Sequence, residues 1–391
     1  MSMLFNTPKL STKDLEVVRL VDEVKAKLGY ALESPSRWTG LLWRNTLGRA
    51  IQGSNSIEGY NVSVEDAVAA IQGEEPLDAD RVAWVNVVGY RRAMTYVIQL
   101  AKDPHFSCSD ALIRSLHFMM VEHDLSKNPG RWRPGPIFVY DLEKKAQVYE
   151  GPQADLVPDL AAELVKGLAN DDPEVPCMVR AAMAHLNLVM IHPFSDGNGR
   201  MGRCLQTLVL GRSGTLTPEF SSIEEELSRK HRAYYDVLAA VGQGRWHPEN
   251  DAGPWIRFCL TAHFAQATRL LRRTREIARL WMAVEQEIQQ YALPERATLA
   301  VVDAALGHRV RNATYRSTAD ITNDLASRDL KMLVDAGLLI GQGERRGRCY
   351  VASDGVRAIR AKTREASLEL DPYAETIEAQ PMLPGLESNA A

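Results

Sequence analysis

The chain has 391 residues, with 46 Lys and Arg against 50 Asp and Glu, a formal net charge of −4, and 45% hydrophobic residues. That length suits two or three domains with sizeable cores, and the slight acidity argues against a protein that coats nucleic acid non-specifically, a task that needs a strong basic excess. Five scattered cysteines with no C-x-x-C pair exclude a disulfide scaffold, and no run reaches the ~20 apolar residues of a membrane span. The opening MSMLFNTPKLSTKDLEVVRL lacks the charged-then-apolar order of a signal peptide. The expectation is a cytoplasmic protein with no membrane partner.

Apolar residues three and four apart predict helices through most of the first 290 residues. The first is marked by Leu15, Val18, Leu20–Val21 and Val24, and another by Trp84, Val87–Val88, Met94 and Val97–Ile98. Between them lies Ser54-Asn55-Ser56-Ile57-Glu58-Gly59, which by itself reads as a helix-capping string. Gly130–Pro152 breaks the helical pattern. Its Ile137–Tyr140 and Ala146–Tyr149 runs are rich in β-branched and aromatic residues and flank Asp141–Lys145, which predicts a hairpin with a five-residue loop.

Further along, an apolar helix over Cys177–Met190 enters the stretch Ile191–Arg203, and an apolar run Cys204–Leu210 leaves it. Ile256, Phe258–Leu260 and Phe264 mark another helix, and residues 267–290 read as a long connecting helix that Pro294 ends. Beyond it, Ala297–Leu306 looks helical, Ser317 or Thr318 can cap a short helix 319–325, and Ser327–Ala336 forms an amphipathic helix stopped by Gly337. Leu338–Ile340 and Cys349–Val351 are short strands around a glycine- and arginine-rich turn. Three helices plus a two-stranded wing suggest a winged helix-turn-helix. Residues 365–391 carry six acidic and no basic side chains with three prolines, which predicts a disordered tail.

The chemistry concentrates in I-H-P-F-S-D-G-N-G-R-M-G-R, residues 191–203. Pro193, Gly197 and Gly199 interrupt the helix, so the stretch reads as helix, loop, helix, with the glycines at the second N-terminus. Such an N-terminus favours anions. Gly197 and Gly199 let backbone approach a phosphate, and Arg200 and Arg203 clamp its oxygens. Asp196 is a hard oxygen ligand suited to Mg²⁺, and His192 is placed to take a proton from an attacking hydroxyl. Base, metal ligand and anion cradle together indicate phosphoryl or nucleotidyl transfer.

The string His192–Arg203 resembles the Fic family signature H-P-F-x-[DE]-G-N-G-R-x-x-R and matches every fixed position. The resemblance implies a mainly α fold: a Fic-type helical bundle with a β-hairpin flap, followed here by a small α/β winged-helix domain. It also implies transfer of AMP from ATP to a protein hydroxyl. His192 is then the general base and Asp196 the Mg²⁺ ligand. Gly197, Asn198 and Gly199 hold phosphate, Arg200 and Arg203 bind the distal phosphates, and Phe194 anchors the loop. Pro129–Arg133 is also family-like, and the hairpin stands where the family has a flap that pairs with a target protein, here along Ile137–Tyr140. Tyr234 and Tyr235 resemble the segment lining the adenine pocket, with a core role equally open. Ser54, Glu58 and Gly59 fit the family's inhibitory pattern [ST]-x-x-x-E-[GN]. By that likeness Glu58 pairs with Arg203 and takes the place of the γ-phosphate.

These expectations divide the chain into an N-terminal helical region 1–100 with the inhibitory motif at 54–59, and a catalytic core 101–265 with its flap at about 130–152. A connecting helix 266–292, a winged helix 293–353 and an acidic tail 365–391 follow. Ser327, Arg328 and Lys331 should face outward from the recognition helix and Arg345, Arg346 and Arg348 sit on the wing, yet nine basic against seven acidic residues over 293–352 favour DNA only weakly. A protein contact or a homodimer is an equal option. Beside the transferase stand two alternatives: a transcription regulator that senses nucleotide, and removal of AMP by the same site.

Overall fold

The computed structural model describes residues 3–33, 36–141, 145–169, 172–212, 216–344, 347–366 and 370–374. Five helices open the chain: α1 (Thr12–Glu33), α2 (Thr39–Ile57), α3 (Val64–Gln72), α4 (Arg81–Lys102) and α5 (Asp110–Val121). Strands β1 (Phe138–Asp141) and β2 (Ala146–Glu150) follow, then α6 (Val157–Ala169), α7 (Cys177–Ile191) and α8 (Asn198–Arg212). Short helices α9 (Pro218–Ser221) and α10 (Glu224–Arg229) lead into α11 (His231–Gly242), strand β3 (Gly244–Arg245) and α12 (Gly253–Gln290). The last part comprises α13 (Thr298–Ala305), α14 (Asn312–Ala319), α15 (Asn323–Asp335), β4 (Leu339–Gln342), β5 (Cys349–Ala352) and α16 (Asp354–Thr363). The protein is mainly α, as the sequence indicates.

Helix α7 is apolar on nearly every side, which suits a helix at the centre of a bundle. One face meets α4, α5 and α8 in a core that includes Val87, Met94, Leu116, Leu188, Phe194 and Leu205. Its other face meets α1 and α12 through Val17, Val179, Leu186, Trp255 and Leu260. The two cores grip α7 and α8 from both sides and so fix the loop between them.

The expected hairpin is present, with Phe138 opposite Glu150 and an irregular register at Val139–Tyr140. The two-residue β3 adds a parallel neighbour to β2 that the sequence reading lacks, through Tyr149 and Gly244. Strand β1 is therefore an outer strand, with exposed Phe138 and Tyr140.

Other expectations are corrected. The connecting helix is no separate element: α12 runs unbroken from Gly253, so one helix serves both the first core and the C-terminal unit, where Leu280, Trp281 and Val284 are buried. The expected helix 319–325 is broken at residues 320–322, between the end of α14 and the start of α15. Asp320 adopts the left-handed conformation that ends α14, and Thr322, not Ser317 or Thr318, caps α15 by accepting from the Leu325 N–H. Ser327, Arg328 and Lys331 are exposed on α15, and Leu330 and Leu333 are buried. Strands β4 and β5 pair antiparallel, and Val310 bridges Tyr350 beside them. Arg345 and Arg346 lie outside the described residues. The expected disordered tail begins with anchored residues. Glu365 pairs with Arg275 and Arg279, and the Tyr373 hydroxyl donates to Asp14 Oδ1 at 2.9 Å. Residues 375–391 lie outside the described set.

The C-terminal unit docks on the first half of α2. Arg44 Nη2 lies 2.6 Å from Asp303 Oδ2, both side chains nearly buried, and Arg309 Nε donates to Glu65 Oε2 at 2.8 Å. His308 Nε2 meets Asn45 Oδ1 in the same seam. Further along α2, Gly53 allows close contact with α10: a Cβ there would stand 2.9 Å from the Glu224 carbonyl oxygen. No helix among the described residues is long and apolar enough to cross a membrane.

Candidate active site

Helix α7 ends on His192, whose φ of 50° and ψ of 58° turn the chain out of the helix while its N–H still donates to the Leu188 carbonyl. The imidazole Nδ1 sits 3.0 Å from the Val189 carbonyl oxygen, so Nδ1 carries the proton and Nε2 presents a lone pair. Burial pulls its pKa below the usual 6.5 against the opposing Val189 hydrogen bond, and nearby Arg133 pulls the same way. A neutral imidazole with a free Nε2 is a general base.

The loop after His192 is held from inside and beneath. Asn198 closes it on itself: its Oδ1 accepts from the Phe194 N–H at 2.9 Å and its Nδ2 donates to the Phe194 carbonyl at 2.8 Å. Both ends of the Asn198 amide are thus engaged and the residue is 2% exposed, which leaves its backbone N–H as the group it can offer a phosphate. Phe194 anchors the loop as expected, fully buried and stacked on His117 at 3.8 Å between ring centres. The Gly130 N–H donates to His117 Nδ1, so Nε2 donates to the Asp196 carbonyl at 3.1 Å. Burial brings the His117 pKa down to about 4. Arg133 ties the flap to the loop, donating from Nε to the His192 carbonyl at 2.8 Å and from Nη1 to Gly135 at 2.6 Å.

Gly197, at φ +78°, takes a left-handed turn that side-chain-bearing residues rarely adopt. It opens the N-terminus of α8, where unpaired N–H groups and the helix dipole face outward. Arg200 and Arg203 rise from that first turn and are nearly inaccessible. Arg200 Nη1 donates to Asn86 Oδ1 at 2.8 Å, and its guanidinium lies 5.1 Å from the Tyr60 ring centre. Its Nε and Nη2 are buried without a hydrogen-bond partner among the described residues. Unsatisfied buried donors next to a helix N-terminus suit a multivalent anion.

Arg203 is held by α2. Its Nε donates to Ser54 Oγ at 2.7 Å, and Nη2 donates to the Ser54 carbonyl at 3.0 Å and to Glu58 Oε1 at 2.6 Å. Burial opposes its charge, but the Glu58 carboxylate outweighs that and holds its pKa above the ordinary arginine value. Glu58 reaches the site because it caps the C-terminus of α2, with Gly59 (φ +83°) turning the chain away. A Cβ built on Gly199 would stand 2.3 Å from Glu58 Oε1. The carboxylate therefore lies on the backbone of the signature loop, where only glycine gives it room.

Asp196 Oδ1 accepts from the Gly197 N–H at 2.7 Å, and Oδ2 meets Lys127 Nζ at 2.5 Å. Burial pushes its pKa up, but Lys127, Arg200 and the Gly197 N–H prevail and hold it below the usual carboxylate range. It stays ionised and already faces a cation. No group of three or more metal-ligating side chains gathers among the described residues. One ionised carboxylate beside an anion cradle suits Mg²⁺, which often takes one protein ligand and completes its shell with phosphate oxygens and water.

Tyr234 and Tyr235 separate. Tyr234 is 1% exposed, packs on Trp255, lies 3.0 Å from His185 Nε2 through its hydroxyl and meets Arg203 from beneath. Of the two roles open to it in the sequence, its burial and contacts are those of a core residue. Tyr235 is 43% exposed and donates to the Ile57 carbonyl at 3.0 Å, beside the end of α2. His117, Lys127, Arg133, Asn86 and Tyr60 join the site unannounced by the sequence, apart from Arg133, which sits in the noted Pro129–Arg133 string.

Residues 107–210 match the profile of the Fic/DOC family. That segment matches a Fic domain. It is 28% identical over 253 residues to the protein adenylyltransferase Fic of Nematostella vectensis, covering 64% of this chain and 55% of that one. With the protein adenylyltransferase fic-1 of Caenorhabditis elegans it shares 26% over 259 residues, covering 64% and 46%. The chain thus spans about half the length of these curated relatives. Among solved structures, a Fic family protein from Desulfovibrio desulfuricans G20 superposes with a TM-score of 0.57 at 21% identity, over 89% of this chain and 98% of that one. Residues 134–508 of C. elegans Fic-1 superpose with a TM-score of 0.50 at 22% identity, over 66% and 72%. At these identities the likeness concerns the fold. The matched residues take in α7, the signature loop and most of α8.

Proposed function

We propose that the chain is a protein adenylyltransferase, moving AMP from ATP to a Ser, Thr or Tyr hydroxyl of a target protein and of itself, and restrained by the Glu58–Arg203 pair. One observation carries the reading: the free Nε2 of neutral His192 stands at the edge of an anion cradle whose Arg203 already holds a carboxylate. The adenylyltransferase names of the relatives support it. In the reaction, the target oxygen bonds to the α-phosphorus, the bond from that phosphorus to the bridging β-oxygen breaks, and pyrophosphate leaves. His192 Nε2 takes the hydroxyl proton. The α8 N-terminus and Arg200 bind the phosphates, and Arg203 does so once Glu58 withdraws. Mg²⁺ on Asp196 would neutralise phosphate charge. Strand β1, an outer strand, offers its unpaired edge to an extended target segment, as in strand addition. The test is mass spectrometry of protein incubated with ATP and Mg²⁺. An adduct of one AMP is expected on the chain or a lysate protein, and it should vanish in His192→Ala while ATP binding persists. Undiminished transfer by that variant rules out His192 as the base.

The C-terminal unit is read as a winged helix-turn-helix with α15 as recognition helix, supported by the exposure of Ser327, Arg328 and Lys331. Binding to duplex DNA that weakens as salt rises, and weakens again in Arg328→Ala/Lys331→Ala, is the expected signature. No binding at low salt leaves the unit a protein contact.

A further inference from the structure

A cavity of about 780 Å³ lies between α2, α10, α12 and the end of α16, and it shares no lining residue with the signature loop. Arg269, Arg272 and Arg273 of α12 line it. Arg229 of α10, Arg49 of α2, Arg360 of α16 and the exposed Arg364 line the rest. Part of this charge is neutralised within the walls. Glu225 holds Arg273 at 2.5 Å and Arg229 at 3.1 Å, Glu226 holds Arg269, and Glu276 holds Arg360 at 2.9 Å. The remaining lining carboxylate, Glu365, is drawn to Arg275 and Arg279 instead. Seven guanidinium groups therefore face four carboxylates.

The surplus has an address. Neither Arg49 nor Arg364 has a carboxylate within ion-pairing distance among the described residues. Arg272 Nε, 3.8 Å from Glu276 Oε1, and Arg360 Nη1 are buried without a hydrogen-bond partner among the described residues. Burial, reinforced by Arg273, pulls the Arg49 pKa down to about 10, so its charge is held there at a cost. Like charges kept together in a concave site favour an anion, and arginine forks fit phosphate oxygens in pairs. Leu42, Ile277 and Leu306 supply an apolar wall beside them. The volume is that of a small-molecule pocket.

We propose that this cavity binds a small, multiply charged phosphate-bearing ligand, with its phosphates on Arg49, Arg360 and Arg364 and its uncharged part against Leu42, Ile277 and Leu306. The inference is independent of the chemistry at His192. Its test is calorimetric titration of the full chain with sodium pyrophosphate at low ionic strength, comparing wild type with Arg49→Ala/Arg364→Ala. These two arginines are chosen because their removal leaves the Glu225, Glu226 and Glu276 pairs intact. The signature loop is also expected to take pyrophosphate, so the readout is the difference between the proteins. Wild type should show one more site per chain, or binding at least about tenfold tighter, than the double variant. Identical stoichiometry and affinity overturn the proposal. Should the double variant fail to fold, Arg364→Glu, at an exposed position, is expected to weaken the same site by about tenfold, and unchanged binding there also overturns it.

Discussion

Replacing Glu58 by glycine removes the carboxylate that meets Arg203 Nη2 at 2.6 Å. Breaking one side of a fully buried pair costs about 3–5 kcal/mol. Two features reduce that figure here. The Glu58 side chain is 26% exposed, and Arg203 keeps the hydroxyl and carbonyl of Ser54 and the Tyr234 hydroxyl. About 2 kcal/mol is a fair remainder. If the pair must part before the distal phosphates reach Arg203, its removal should raise transfer by about thirtyfold, since 1.36 kcal/mol is a factor of ten in rate. The same ~2 kcal/mol should appear as a loss of unfolding free energy without nucleotide, and ATP at a hundred times its Kd should return about 2.7 kcal/mol. Initial rates of label incorporation from ATP, with urea unfolding with and without ATP, measure both. Equal rates for wild type and Glu58→Gly at equal folded fraction refute the restraint.

Gly199→Ala should silence the activated protein. Its Cβ would stand 3.2 Å from Arg203 Nη1, in the place the Glu58 carboxylate holds in the wild type and a phosphate would need in the variant. Glu58→Gly/Gly199→Ala is expected to incorporate at least about tenfold less label than Glu58→Gly, a loss of ~1.4 kcal/mol or more in transition-state binding, and equal incorporation removes the close-approach argument. Stability should also depend on acid. Burial brings the pKa of His117 to about 4 and that of His185 to about 3, both below the unfolded value of 6.5. Each therefore contributes stability that is complete above pH 6.5 and is lost as pH falls through the folded values, by about 1.4 kcal/mol per pH unit per histidine. Urea midpoints measured from pH 7.5 to 5 should fall only below about 6.5, and His117→Gln should reduce the slope by one proton; an unchanged slope contradicts the assignment.

The signature loop was legible because its chemistry is contiguous: base, carboxylate, glycines and arginines lie within twelve residues of sequence. Helices α1, α4 and α7 were legible from periodicity, and the flap from its β-branched and aromatic runs. His117, Lys127, Asn86 and Tyr60 were not, because each is one polar residue on an otherwise ordinary segment and acquires its role only when α4, α5 and the α2–α3 turn converge on α8. Residue type left Asn198 and Tyr234 open to more than one use, and folding spends the Asn198 amide on the loop backbone and the Tyr234 hydroxyl on His185 and Arg203. Ser317 and Thr318 looked like a cap because the residue type suits one, but Asp320 turns the chain and Thr322 makes the bond. Composition described the tail as a whole and missed that Glu365 and Tyr373 each find a specific partner.

Arg203 is 1% exposed, and its carboxylate is delivered by the same chain. Under the proposed function, the cradle does not exchange water for phosphate at this corner; it exchanges one anion for another. A tethered competitor acts at an effective concentration that can reach the millimolar range. Full engagement of a nucleotide thus has a threshold, set by how firmly α2 holds Glu58 in place. The same helix is gripped at Arg44 by Asp303, three to four turns away along its axis. What fixes the height of that threshold is therefore shared between the signature loop and a seam at the other end of the helix.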